Sequence, residues 1–314
     1  MTGRTTGINT RPGTGPSTAA QAGRRIAFFG GSFDPPHLGH LAIARAARDA
    51  FQLDTVLFAP VGAQPLKPEG SSASFEDRLA MTRLAIRNEP TFAISLADAP
   101  KSPAAGNAQP NYTIDTLKAL RSEFKPDCTL YCLMGADSFF GLRQWHRAAE
   151  IPFAAALIVA SRPAASRPDQ PLDGLQAALP PGLTLEPAPK NTSDQNVQHI
   201  DQIEPGAGES SPDKCCIAVR ASLIVNPAGE RAPFYELPGL DVEISASQIR
   251  ESIRQATRNS VPLVPSPSTP EVEEPSVAPA GSPPPTSARP ASARIETMLP
   301  AAVADYIRAH GLYR

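Results

Sequence analysis

The chain has 314 residues, 36 of them proline, with a formal net charge of −2. A balance so close to neutral, with no long basic stretch, lacks the electrostatic footprint of a nucleic-acid binder. The longest apolar run, Phe153-Ala-Ala-Ala-Leu-Ile-Val-Ala160, is far shorter than the ~20 residues a bilayer requires, and the clustered prolines imply that much of the length is not core.

The first 25 residues hold four arginines and no acidic residue, among several Ser, Thr and Gly. They lack both the apolar face of a transit helix and the apolar stretch of a secretory signal, so residues 1–23 are expected to be a disordered tail on a cytoplasmic chain. Cysteine usage agrees with a reduced compartment. Cys128 and Cys132 lie four apart in a strand-like run, Cys215 and Cys216 are adjacent, and no Cys-x-x-Cys knuckle exists.

The first patterned segment is the apolar run Ile26-Ala-Phe-Phe29, followed by Gly30-Gly-Ser-Phe-Asp-Pro-Pro-His-Leu-Gly-His40 and then helix-patterned Leu41-Ala-Ile-Ala-Arg-Ala-Ala-Arg48. A strand passing through glycines into a helix reads as a phosphate site. Gly30 and Gly31 are expected to turn the chain and let its backbone approach an anion. The helix start supplies unpaired N–H groups, and His37 and His40, three apart on one face, supply imidazole donors. Taken alone, such a histidine pair would more often cap and pack a helix entry. It could also chelate zinc, but the remaining histidines, His146, His199 and His310, form no ligand set with the cysteines, and no protein metal site is expected.

Strands and helices then alternate. Thr55-Val-Leu-Phe-Ala59 is strand-like and stops at Pro60; Ser74 caps a helix over 75–88 with Leu79, Leu84 and Ile86 in its apolar stripe. Residues 91–96 read as a strand, 112–124 as a helix, and 129–134 and 154–161 as continuous apolar strands. Continuous apolar strands interleaved with helices predict an α/β, doubly wound and mostly parallel sheet, with ligands beyond the carboxyl ends of the strands. Residues 164–238 and 259–293 are rich in Pro and Ser and are expected to be insertions, disordered or on the surface, within one domain spanning 24–314. Between them, residues 240–254 read as a strand running into a capped helix, and residues 299–310 form a last amphipathic helix opened by Pro300 and closed by Gly311.

Taken in order, these segments resemble the bacterial nicotinate-nucleotide adenylyltransferases, of the nucleotidyltransferase superfamily with a His-x-Gly-His loop. The resemblance rests on Gly30 to His40, on Ile244-Ser-Ala-Ser-Gln-Ile-Arg250, and on Gln64-Pro-Leu-Lys67, Tyr112-Thr-Ile-Asp-Thr-Leu117, Gly135-Ala-Asp-Ser138, Trp145, Ile158-Val-Ala-Ser-Arg-Pro163 and Gly311-Leu-Tyr-Arg314. It implies a Rossmann-like nucleotidyltransferase fold and a reaction joining nicotinate mononucleotide to ATP, with Mg2+ carried on the ATP phosphates. By the same resemblance, His37, His40 and Arg250 are catalytic. Gly30, Gly31, Ser32, Gly135, Asp137, Ser245 and Ser247 would bind ATP, and Lys67, Tyr112, Thr113 and Trp145 would bind the mononucleotide.

On the residues alone, Trp145 could be core, though its neighbours Gln144, His146 and Arg147 are polar, Asp137 could be a helix N-cap, and Lys67 reads as a solvated loop lysine. His146 stands where the family usually has tyrosine, and Leu66 where it often has His or Pro. Nicotinamide mononucleotide and phosphopantetheine are the alternative acceptors among the enzymes of the superfamily, and a nucleotide-sensing regulator that keeps the fold without the chemistry is the alternative of a different class. The pattern leaves oligomeric state open.

Overall fold

The computed structural model describes residues 23–66, 69–101, 110–124, 126–160, 173–188, 219–237, 244–259 and 297–314. Strands β1 (Arg25–Gly31), β2 (Thr55–Pro60), β3 (Phe92–Ile94), β4 (Thr129–Gly135) and β5 (Ala156–Ala160) alternate with helices α1 (Leu38–Phe51), α2 (Phe75–Ile86), α3 (Thr113–Glu123), α4 (Ala136–Phe140) and α5 (Ile151–Ala154). Then come α6 (Asp173–Ala178), β6 (Thr184–Pro187), β7 (Arg220–Val225), β8 (Arg231–Leu237), α7 (Ala246–Asn259) and α8 (Ala301–His310).

One sheet holds all eight strands in the order β3-β2-β1-β4-β5-β8-β7-β6. The pairs from β3 to β8 are parallel, and β7 and β6 complete the sheet antiparallel. The central strands are continuously apolar because each buries both faces. Along β1, Ala27 and Phe29 pack into a core beside α1, α2, α7 and α8, while Ile26 and Phe28 pack into a second core beside α3, α4 and α5. In β4, Tyr131 and Leu133 face the first core, and Leu130, Cys132 and Met134 the second. Strand order reverses at the β1/β4 pair, the position where doubly wound sheets open a crevice.

Three expectations change. The stretch 164–238 is not wholly an excursion, because β8 lies inside the sheet with Phe234 and Leu237 buried. Arg231-Ala-Pro-Phe-Tyr-Glu-Leu237 hid this by interrupting its apolar residues with Arg231, Pro233 and a buried Glu236. Secondly, the buried face of α2 is Arg78, Met81, Thr82, Ala85 and Ile86, while Leu79 and Leu84 are only half-buried. Helical spacing cannot reveal an arginine that is buried to serve another loop. Thirdly, Gly30 and Gly31 end β1 rather than forming the turn. The residue with positive φ there is Phe33, at 46°. Gly30 is required because a Cβ would stand 2.9 Å from the buried Phe28 ring. Residues 1–22, 240–243 and 260–293 lie outside the described residues.

Candidate active site

The turn after β1 is held from below by buried polar groups. Arg78, 2% exposed, donates from Nη1 to the Ser32 carbonyl at 2.7 Å and from Nε to the Ala73 carbonyl at 3.3 Å. The buried Asp34 carboxylate accepts from the Ser72 and Ala73 backbone N–H groups at 2.6 and 3.1 Å and from the Tyr313 hydroxyl at 2.7 Å. Arg250 donates to the Asp34 carbonyl at 2.6 Å, with its Nη1 3.9 Å from the carboxylate. One aspartate thus ties the turn to the segment before α2, to α7 and to the C-terminus. Burial and this carboxylate together hold the Tyr313 phenol protonated far above its ordinary range.

Above this base, the His37 and His40 rings stack at 3.8 Å. The His37 backbone N–H donates to His40 Nδ1 at 3.2 Å, which places the proton of a neutral His40 ring on Nε2. Burial lowers His37 to a pKa of about 4, and burial plus the adjacent His37 lowers His40 well below the usual histidine range. Both rings are therefore neutral N–H donors at neutral pH, and a polyanion alongside would favour their charged forms. His37 Nδ1 is buried and has no hydrogen-bond partner. The helix start offers less than its sequence suggested, because Leu38 N–H donates to the Met298 carbonyl and His40 N–H to the His37 carbonyl. Gly39, between them, lines the cavity above.

These groups open onto a cavity of about 690 Å³ at the carboxyl ends of β1, β2, β4 and β5, within the size range of small-molecule sites. Of the residues selected from sequence, it brings together Gly30, Gly31, Ser32, His37, His40, Tyr112, Thr113, Gly135, Asp137, Trp145 and Ser245. Arg250 and Ser247 do not line it. The guanidinium lies on Asp34, Ser247 Oγ accepts from Arg250 Nη2 at 3.3 Å, and Arg250 Nε is buried without a partner. Lys67 lies outside the described residues.

Local structure settles several choices that the sequence left open. The N-cap of α4 is Gly135, so Asp137, exposed in the first turn, is not the cap. Ser245 caps α7 reciprocally with Gln248: Ser245 Oγ accepts from the Gln248 N–H at 3.2 Å, and Gln248 Oε1 from the Ser245 N–H at 3.1 Å. Its hydroxyl proton stays available to the cavity. Trp145 and Tyr112 pack partly against the second core and partly line the cavity.

Sequence reasoning missed Asp98 and Asn111. Asp98 is buried, accepts from the Thr116 hydroxyl, and has its pKa raised by burial. Asn111 accepts from the Ala63 N–H and donates to the Ala99 carbonyl, both at 3.1 Å, joining the segments after β2 and before α3. Neither sits in a periodic pattern. Gln64, noted only as part of a motif, lines the cavity with Oε1 buried and unpartnered.

Comparison with known proteins agrees with this fold. A cytidylyltransferase-like family model matches residues 28–252. A probable nicotinate-nucleotide adenylyltransferase of Trichlorobacter lovleyi is 35% identical over 76% of this chain and 92% of its own length. One from Xylella fastidiosa is 40% identical over 68% of this chain and 94% of its own. The Plasmodium falciparum nicotinic acid mononucleotide adenylyltransferase complexed with NaAD shares the fold, with a TM-score of 0.52 at 15% identity, covering 92% of this chain and 97% of that one. With the sheet, the paired-histidine turn and two relatives matched over nine-tenths of their length, the chain belongs to the cytidylyltransferase-like family and, within it, to the nicotinate-nucleotide adenylyltransferases.

Proposed function

We propose that the chain transfers the adenylyl group of ATP to nicotinate mononucleotide, releasing pyrophosphate and forming nicotinate adenine dinucleotide, as a cytoplasmic step of NAD biosynthesis. The observation that carries this reading is one cavity joining the His37 and His40 donors to the aromatic residues Tyr112 and Trp145. An oxygen of the mononucleotide's 5′-phosphate attacks the α-phosphorus of ATP, and the bond from that phosphorus to the oxygen bridging toward the β-phosphate breaks. The nucleophile is already ionised at neutral pH, so no protein base is required. Catalysis then reduces to alignment and stabilisation of charge on the α-phosphate and leaving group.

His40 Nε2–H and the Gly39 N–H would donate to phosphate oxygens, and the unpartnered His37 Nδ1 would add a third polar contact. Asp137, in the first turn of α4, would accept from ribose hydroxyls, with Gly30, Gly31, Ser32, Gly135 and Ser245 around the nucleotide. Tyr112, Thr113 and Trp145 would hold the pyridine ring, and Lys67 the mononucleotide's phosphate. Arg250 steadies the turn through Asp34 and, assisted by Ser247, would act on the β- and γ-phosphates from that anchored position. A divalent cation, Mg2+ in this reading, arrives on the ATP phosphates and adds charge neutralisation. The described residues hold no cluster of three His, Cys, Asp or Glu that could cage an ion, so ATP and water would supply most of its coordination. No described helix is long and apolar enough to cross a membrane.

The test is pyrophosphate release from ATP and Mg2+ with nicotinate mononucleotide, nicotinamide mononucleotide or phosphopantetheine as acceptor. The first is expected to have the highest kcat/KM. Equal rates for all three, or no release with the first, would overturn the assignment.

A further inference from the structure

Among the described residues lining the cavity there is no lysine and no arginine, whereas two carboxylates, Asp98 and Asp137, do line it. Side-chain donors able to carry positive charge are therefore histidines. Two of them, His37 and His40, form the stacked pair at the start of α1. The third, His146, comes from the segment after Trp145 and stacks on Tyr112 with ring centroids 4.1 Å apart and planes 29° from parallel. The nearby cations are occupied elsewhere. Arg147 holds Glu150 through two bonds of 2.7 Å, Lys118 donates to the same carboxylate at 2.8 Å, and Arg143 donates to the Ala177 carbonyl at 3.1 Å.

We propose that His146 is a specificity-determining residue, whose imidazole N–H selects a ring bearing a carboxylate over the same ring bearing a carboxamide. This rests on the adenylyl-transfer reading above. Tyr112 fixes the plane of the imidazole, and its ring nitrogens make no hydrogen bond among the described residues, so its edge is open to a substituent on a ring held by Trp145 and Tyr112. An imidazole donates one N–H when neutral and two when charged. A carboxylate accepts such a bond with charge assistance that a neutral carboxamide lacks.

The experiment measures kcat and KM of the full chain for nicotinate and nicotinamide mononucleotides in wild type, His146→Phe and His146→Gln. His146 is solvent-exposed, so all three are expected to fold. Phenylalanine keeps a ring against Tyr112 but removes the donor; glutamine keeps a donor and removes the ring. His146→Phe is expected to lower the acid-to-amide ratio of kcat/KM by about ten- to hundredfold, mainly through a raised KM for the acid. His146→Gln should retain most of the ratio. A ratio unchanged within about twofold in His146→Phe, or a loss in His146→Gln as large as in His146→Phe, would overturn the proposal. Equal losses for both mononucleotides would also overturn it, since they would mark a stacking role only. A wild-type chain inactive with nicotinate mononucleotide would instead overturn the substrate reading itself.

Discussion

Asp34→Asn is the most demanding single test of how this site is built. Each carboxylate oxygen of Asp34 faces donors: Oδ2 accepts from Ser72 N–H and faces Arg250, while Oδ1 accepts from Ala73 N–H and the Tyr313 hydroxyl. An asparagine must turn its NH2 toward one of these sets, so in either orientation a backbone N–H meets an N–H, part-buried at Ser72 and buried at Ala73. Leaving such a donor unsatisfied costs about 1–3 kcal/mol, and the lost charge assistance adds to it. A total of roughly 2–4 kcal/mol would lower Tm by about 5–15 °C for a domain of this size. Tyr313→Phe removes one bond to the same oxygen and should cost about 1–2 kcal/mol. The two substitutions share that bond, so together they should destabilise less than the sum, with a coupling of about 1 kcal/mol. Thermal and urea unfolding of the two single variants and the double variant measure this. A melting temperature for Asp34→Asn within about 2 °C of wild type, or strict additivity, would refute the assigned role.

Three further outcomes are expected. His40→Ala should abolish pyrophosphate release while leaving the circular dichroism spectrum intact; unchanged turnover would sink the phosphate-donor role. The unfolded chain protonates its histidines near pH 6.5, but folded His37 does so only at about 4, so the unfolded state binds the extra proton between those values. Stability is thus full above pH 6.5 and falls as pH drops toward 4, by about 3 kcal/mol from His37 alone; His37→Gln should flatten that slope in urea titrations, and an unchanged slope would exclude the linkage. Gly62→Ala should destabilise by about 1–3 kcal/mol, because its Cβ would stand 2.5 Å from the backbone nitrogen of Pro100 and strain the segment carrying Asp98; a neutral melt would show that this backbone yields.

The sheet was legible because its physics is local to each strand. A strand buried on both faces must be apolar at every position, and Thr129 to Met134 can be read that way without knowing its neighbours. Strand β8 was not legible, since one of its faces carries Arg231, Pro233 and Tyr235 and its order in the sheet depends on β5, more than 70 residues earlier. Helix α2 was found by its Ser74 cap, but its buried face was misread. The arginine at 78 is buried for the sake of a carbonyl at residue 32, and periodicity cannot encode that dependence.

The same distinction separates the two halves of the site. Residues lining the cavity lie next to the ends of strands and helices, so adjacency in sequence announced His37, Gly135, Thr113 and Ser245. The residues that hold the site rigid are joined across the chain. Asp34 meets Arg250 over 216 positions and Tyr313 over 279, and each partner looks ordinary where it stands. This arrangement also revises what Arg250 does. The guanidinium is held by Asp34 and does not line the cavity, so its role in the proposed transfer would be to fix the histidine turn rather than to clamp phosphates freely. The two conserving substitutions at Asp34 and Tyr313 should therefore alter turnover as well as stability, because loosening that anchor releases Arg250 and the turn together.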